Sequence, residues 1–124
     1  MKNRESEEMY LETILTLYKQ RGAVRSIDIA EELNYARSSV SRAVNLLLSR
    51  SLITIDKNGN ITLTKQGLSR ANTIYERHNV ITKALLMLGA DKKSAEDNAC
   101  KIEHVISDDI LNLIKNHIEN IENK

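Results

Sequence analysis

One sequence feature constrains the fold of this chain more than any other. Two short helical patterns are separated by a tight break and are followed at once by a hairpin signal. The break lies at residues 34–36, and two helices joined by so short a turn make a helix-turn-helix. The Asn58-Gly59 pair lies between two strand-like segments, 52–55 and 61–64. It favours a β-hairpin because both residues tolerate positive φ. This order of elements predicts a winged helix.

The remaining apolar spacing is helical, and the chain contains no proline to interrupt it. The predicted helices run from about 5 to 20, from an N-cap at Ser26 to the break, from 37 or 38 to 49, from 65 to 88 after a cap at Thr64, from 92 to 106, and from 108 to about 122 after a cap at Ser107. Val40, Val44, Leu47 and Leu48 are predicted to form the inward face of the third helix. We therefore predict a mainly α fold with a winged helix-turn-helix DNA-binding domain over 1–72 and an all-helical dimerisation and metal-binding domain over 73–124.

Local charge supports a nucleic-acid partner, although the net charge of the chain is only +1. Residues 33–55 contain no Asp or Glu, whereas residues 1–32 carry seven acids and five bases. Basic and hydroxyl side chains on the second helix of the pair are suited to phosphate and base contacts. The candidate DNA-binding residues are Ser26, Arg37, Ser38, Ser39, Ser41, Arg42, Arg50 and Lys57. The alternative is an ordinary solvated helix face.

Composition narrows the class of protein. A single cysteine fits a reducing compartment, and no apolar segment approaches the roughly 20 residues that cross a bilayer. We expect a cytoplasmic protein without a membrane partner or a small-molecule substrate. No nucleophile triad, phosphate loop or Gly-rich segment is present, so we expect no enzyme. A metallohydrolase that uses Glu103 as its base is the competing interpretation.

The segment around Cys100 carries the clearest chemistry. In a helix Cys100, Glu103 and His104 stand at i, i+3 and i+4, which places them on one face. Thiolate, carboxylate and imidazole together can form half of a first-row metal site. The competing interpretation is a small buried thiol beside a solvated Glu-His pair. On the first helix, Met9 and Glu12 share a face at i, i+3.

Over nearly its whole length the chain resembles the diphtheria toxin repressor/manganese transport regulator family of metal-dependent transcriptional repressors. The residues that carry the resemblance are Glu8-Met9-Tyr10-Leu11, Ile29-Ala30-Glu31, Ser39-Val40-Ser41, Leu63-Thr64 with Gly67, Arg77-His78, and Ala99-Cys100-Lys101-Ile102-Glu103-His104-Val105-Ile106-Ser107-Asp108. Because the sequence ends at Lys124, the resemblance is to the short members without an SH3-like domain.

The resemblance implies a ligand set for a divalent ion. Its members are Met9, Glu12, His78, Cys100, Glu103 and His104. Met9 and Cys100 match the iron branch of the family, and Glu12 matches the manganese branch. Two ancillary ligands of the iron branch are replaced, by Thr82 and Glu96. The resemblance therefore implies one or two ions per subunit and leaves Mn²⁺ and Fe²⁺ both open.

The function implied is a homodimeric repressor of metal-homeostasis genes, in which metal binding fixes the dimer geometry for double-stranded operator DNA. Three alternatives stay open. The winged helix could respond to redox state through Cys100, or to an organic effector. The chain could also act as a dimerisation adaptor whose winged helix meets protein, which a salt-dependent DNA gel shift would test.

Overall fold

The computed structural model describes residues 2–123, with side chains from Ser6 onward. In the described chain the elements follow in the order α1 (Lys2–Arg21), α2 (Ser26–Leu33), α3 (Arg37–Ser49), β1 (Ile53–Ile55), β2 (Ile61–Leu63), α4 (Lys65–Met87), α5 (Lys92–Ile102) and α6 (Asp108–Glu122). The chain forms two compact units, 1–72 and 73–124, with the division inside α4. No helix of the described residues is long and apolar enough to span a membrane.

The first unit has one apolar core between α1, the helix-turn-helix and the strands. Its fully buried side chains include Leu11, Ile14, Leu17, Val24, Ile29, Val40, Leu47, Leu52 and Ile53. These positions repeat at helical spacing in α1 and α3, and that periodicity is why the sequence alone indicates the two faces. One predicted core position is wrong. Leu48 is exposed, because it follows Leu47 by about 100° around the helix and lies beyond the buried face of Val40, Val44 and Leu47.

The turn between α2 and α3 depends on one left-handed residue. Asn34 has φ 57, a conformation that asparagine tolerates better than most side chains, and it directly follows α2. The N-cap of α2 is Arg25, so the prediction of Ser26 as N-cap is wrong. The reason is Asp28, whose carboxylate accepts a 2.8 Å hydrogen bond from the backbone N–H of Arg25 and fixes the first turn one residue earlier.

The wing is an antiparallel hairpin in which Thr54 pairs with Thr62. Its turn is organised by Asp56, whose carboxylate accepts backbone hydrogen bonds of 2.9 Å from Asn58 and from Asn60. These bonds hold the pKa of Asp56 below its usual value. Of the predicted Asn-Gly pair, only Gly59 adopts positive φ, at +85.

The start of α4 is fixed by a cap and a close contact. The Thr64 hydroxyl accepts a 3.1 Å hydrogen bond from the backbone N–H of Gly67, which agrees with the predicted cap. A Cβ on Gly67 would lie 1.9 Å from the carbonyl oxygen of Leu52. Glycine at this position therefore lets α4 lie directly against the chain that enters the wing.

The second unit contains the rest of α4 with α5 and α6. Ile81, Ala99 and Leu111, one from each helix, form its buried cluster. An ion pair between Lys115 and Glu76, 2.8 Å from Nζ to Oε1, joins α6 to α4 and raises the pKa of Lys115.

The predicted end of the fifth helix at Ile106 is wrong. Helix α5 ends at Ile102, and residues 103–105 form a turn. The backbone N–H groups of Val105 and Ile106 both donate to the carbonyl of Ile102, which tightens the chain there. Ser107 then caps α6 by accepting a 3.3 Å hydrogen bond from the backbone N–H of Ile110, as predicted.

Replacing Gly67 with alanine tests the close contact between α4 and Leu52. We expect Gly67→Ala to lower the free energy of unfolding by about 3 kcal/mol, because backbone atoms must move to admit the methyl group. The matched control is Gly22→Ala, where φ is +79 but nothing lies within 4 Å. In Gly22→Ala the free energy of unfolding should fall by about 1–2 kcal/mol, because the only penalty is the strain of alanine in the left-handed conformation. Equal losses for the two variants in urea unfolding would contradict the assignment.

Candidate metal centre

Helices α4 and α5, with the turn that follows α5, bring a histidine, a cysteine and a glutamate to one place. His78 comes from α4, Cys100 from α5, and Glu103 from the turn that follows α5. One ligand atom of each side chain lies within 4.8 Å of the other two. Cys100 is exposed, His78 is half-buried and Glu103 is buried, so the group extends from the surface into the interior of the unit.

Glu103 is the centre of this group. Its side chain is fully buried, and its Oε2 atom lies 2.8 Å from Nδ1 of His78. Its Oε1 atom lies 3.3 Å from Nε2 of His104 but accepts no hydrogen bond from the described part of the chain. A buried carboxylate oxygen without a donor costs on the order of 1–3 kcal/mol or more. A bound cation would remove that cost.

The residues present therefore fit a divalent ion. The thiol of Cys100 and the imidazole of His78 suit borderline first-row ions, and the carboxylate of Glu103 suits harder ones. His104, with its ring nitrogen beside the same carboxylate, is in place to join them. Four of the six ligands predicted from sequence lie together in this unit, although Glu103 and His104 are in a turn and not in the predicted helix.

The other two predicted ligands, Met9 and Glu12, lie on α1 in the first unit. Both side chains are half-buried. The sulfur of Met9 accepts a 3.8 Å hydrogen bond from the hydroxyl of Tyr35. Their participation in the metal centre stays a prediction.

The predicted DNA-binding residues fall mostly on exposed positions of the first unit. The exposed ones are Arg37, Ser38, Ser41, Arg42, Arg50 and Lys57, and Ser26 and Ser39 are half-buried. Arg50 differs from the others because its guanidinium is 2.5 Å from the buried carboxylate of Glu7, which also pairs with Arg70. Part of its charge is therefore already neutralised. Its DNA contact, like those of the others, stays a prediction.

Sequence reasoning overlooked Arg25. Its guanidinium lies against Gly59, with Nη2 3.1 Å from the position that a Cβ there would occupy. Its charge contributes to the lowered pKa of Asp56. The sequence offered one signal for Arg25, a basic residue directly before the first turn of α2. Its closeness to Gly59 could not be predicted, because only the fold brings the two residues together.

Two family descriptions match the chain along almost its whole length. "Iron dependent repressor, N-terminal DNA binding domain" matches residues 4–60, and "Iron dependent repressor, metal binding and dimerisation domain" matches residues 64–124. The first covers the helix-turn-helix and most of the wing. The second covers the whole cluster around Glu103.

Similar proteins agree with these matches. An uncharacterised helix-turn-helix-type transcriptional regulator of Methanocaldococcus jannaschii is 33% identical over 122 residues, which are 97% of this chain and 98% of that protein. The regulator MntR of Listeria welshimeri is 30% identical over 118 residues, 95% of this chain and 83% of MntR. The solved structure of the manganese regulator SloR superposes with a TM-score of 0.80 at 27% identity, covering 91% of this chain and 53% of SloR. The chain thus spans about half the length of SloR.

The chain belongs to the iron-dependent repressor family, which includes proteins named diphtheria toxin repressor and MntR. This confirms the resemblance stated from the sequence, and with it the mainly helical fold that begins with a winged helix. Because the members of this family are transcriptional regulators, the chain is a regulator and not an enzyme.

The buried carboxylate gives a direct test of the metal centre. We expect Mn²⁺ at about 100 times its Kd to raise the free energy of unfolding by about 2.7 kcal/mol, because the ion binds the folded chain alone. In Glu103→Gln the neutral amide offers no anionic ligand, so this increase should disappear. Glu119→Gln, at an exposed position on α6, is the matched control and should keep it. Equal stabilisation of all three proteins by Mn²⁺ would show that the ion binds elsewhere.

Proposed function

We propose that this chain is a metal-dependent transcriptional repressor that binds operator DNA as a homodimer when Mn²⁺ or Fe²⁺ is available. The observation that carries the proposal is the fully buried Glu103 carboxylate. It lies between two imidazoles and beside a thiol, in a chain whose first unit matches a DNA-binding domain. A carboxylate in that setting is stabilised by positive charge. A metal ion supplies that charge when it is bound, so the site can respond to the concentration of the ion in the cell.

The ligand set supports a transition ion but permits both candidates. His78, Cys100, Glu103 and His104 would hold the ion from the second unit. From the family resemblance we infer that Met9 and Glu12 complete the set from α1. Soft sulfur ligands favour Fe²⁺ over Mn²⁺, whereas two carboxylates shift the balance back. Which of the two ions occupies the site therefore depends on their concentrations in the cell as well as on the ligand residues.

The first unit supports DNA as the partner. Helix α3 is the second helix of the helix-turn-helix, and it presents Arg37, Ser38, Ser41 and Arg42 to solvent. Lys57 is exposed on the wing turn. Since no acidic residue occurs between 33 and 55, α3 itself carries no like charge to repel phosphates. We infer that α3 enters the major groove and that the wing contacts the backbone beside it.

The second unit supports a second copy of the chain as the other partner. An apolar groove of about 500 Å³ lies between α4 and α6. Its lining consists of Ile81, Ala84, Leu85, Met87, Leu88, Ile102, Ile106, Ile110, Leu113, Ile114, His117, Ile118 and Ile121. Leu88 is 84% exposed and Leu113 63% exposed, which is unusual for side chains that water solvates poorly. The match of this unit to a dimerisation domain favours self-association as the cover of the groove.

The proposed mechanism is a shift between dimer geometries. Two recognition helices must reach successive major grooves, about 34 Å apart. When bound, the ion supplies positive charge that the carboxylates and the thiolate can share. If Met9 and Glu12 are held by the same ion as Glu103, α1 loses freedom of movement. The dimer geometry whose spacing fits DNA then becomes more populated. A coupling of about 1–3 kcal/mol is typical for such a shift.

Operator affinity with and without metal tests this function. Under anaerobic, reducing conditions that keep Cys100 as a thiol, we expect Mn²⁺ or Fe²⁺ to tighten binding to upstream DNA by about 5–150-fold. Glu103→Gln should lose that gain, because the binding of the ion fails. Arg42→Ala should weaken DNA binding at every metal concentration and leave metal affinity unchanged. An operator affinity of the wild type that does not change with either ion would refute the proposal.

The dimer interface has its own test in the apolar groove. We expect Leu113→Glu to convert the dimer to a monomer in analytical ultracentrifugation, since a carboxylate would be buried against apolar side chains. Asn112→Glu adds the same charge at the neighbouring, exposed position outside the groove lining and should leave the dimer intact. Dissociation in both variants would point to net charge as the cause and not to the groove.

A further inference from the structure

Arg77 makes three hydrogen bonds from three different nitrogen atoms. Its Nε donates to the carbonyl oxygen of Glu103 at 2.9 Å, and its Nη1 donates to Oδ1 of Asp108 at 2.7 Å. Its Nη2 donates to the carbonyl oxygen of Ile106. The side chain is only 13% exposed. A single guanidinium from α4 therefore holds the chain between α5 and α6 at Glu103, at Ile106 and at Asp108, the first residue of α6.

This turn contains two of the proposed metal ligands, Glu103 and His104. Arg77 and His78 are consecutive on α4, and they bind opposite ends of the same glutamate. Arg77 binds the carbonyl of Glu103, and Nδ1 of His78 lies 2.8 Å from its carboxylate. With both ends of Glu103 fixed to α4, the direction of its carboxylate follows from the backbone that Arg77 holds.

The backbone bonds of this turn, from Val105 and Ile106 to the carbonyl of Ile102, leave the carbonyl of Glu103 to Arg77. Helix α5 ends at Ile102, so the carbonyl of Glu103 accepts no bond from a further helical turn. A cation near the C-terminal end of a helix is favourable, and Arg77 supplies that charge together with directed donors. Lysine could supply the charge, but it could not direct donors at three separate acceptors from a planar fork.

We propose that Arg77 is a positioning residue of the metal centre. It sets the orientation of the Glu103 carboxylate and of the His104 imidazole, and thereby the affinity for the ion, without contacting the ion itself. The inference rests on the proposed function, because it requires that these residues bind a metal. Partners behind the ligands of metal sites commonly change metal affinity by about 10–100-fold when they are replaced.

Arg77→Lys tests this role on the full-length protein in the absence of DNA. We expect the affinity for Mn²⁺ to fall by about 10–100-fold in titrations of the metal-free protein. We also expect the visible absorption spectrum of the Co²⁺-loaded protein to change, because the ligands around the ion change their geometry. Both measurements are made well below the unfolding temperature, so that a loss of stability does not enter them.

Two control variants separate positioning from charge. Asp108→Asn removes the charge of an acceptor that is 83% exposed and should leave affinity and spectrum close to those of the wild type, because exposed ion pairs contribute little. Lys83→Met removes another cation of α4, one that pairs with Glu122 on α6, and should have no effect on the metal. A loss of affinity in Lys83→Met equal to that in Arg77→Lys would overturn the inference.

The remaining outcomes are also decisive. A wild-type protein that binds neither Mn²⁺ nor Co²⁺ refutes the proposed function itself. A wild-type protein that binds them, together with an Arg77→Lys protein of unchanged affinity and spectrum, overturns the role of Arg77 alone, even if that variant unfolds at a lower temperature. If Arg77→Lys does not fold, Arg77→Gln, which keeps a donor toward the turn, undergoes the same two measurements, and unchanged values there overturn the inference.

Discussion

A charged carboxylate excluded from water must find compensation nearby, and Glu103 shows how this requirement shapes the second unit. One oxygen of Glu103 lies against His78, the other lies beside His104 and accepts no hydrogen bond from the described residues, and the backbone carbonyl of Glu103 is held by Arg77. The cost of an uncompensated buried charge exceeds the contribution of most single contacts. The arrangement supports the proposed cation site, and the exposed thiol of Cys100 lies at the surface side of the group.

The first unit uses polar contacts in a different way, to fix the wing beside the helix-turn-helix. The backbone N–H of Ile61 donates a 2.7 Å hydrogen bond to the carbonyl of Val24, which joins β2 to the loop between α1 and α2. Glu7 on α1 pairs with both Arg50 and Arg70. These bonds connect segments far apart in sequence, and together with the apolar core they give the surface for DNA a defined shape.

Much of this architecture could be predicted because its signals are local. The caps at Thr64 and Ser107 act within three residues, and the structure has both. The error at the end of α5 arose where a distant group takes part. Helix α5 stops at Ile102, and the carbonyl groups beyond it bind Arg77, which lies 26 residues earlier in the chain from Glu103. The error at the start of α2 was local, because the carboxylate of Asp28 satisfies the N–H of Arg25 and moves the N-cap to that residue.

The sequence by itself determined the order of helices and strands, the two apolar faces of the winged helix, and the residue types available to a metal. Those properties depend on neighbours a few positions apart, where side-chain periodicity and capping act. Only the tertiary structure decided which carboxylates are buried. Glu103 is fully enclosed whereas Glu119 is exposed, and no local pattern separates them. Burial is a property of packing between helices, so the electrostatic demand that makes Glu103 a candidate ligand arises only when α4, α5 and α6 come together.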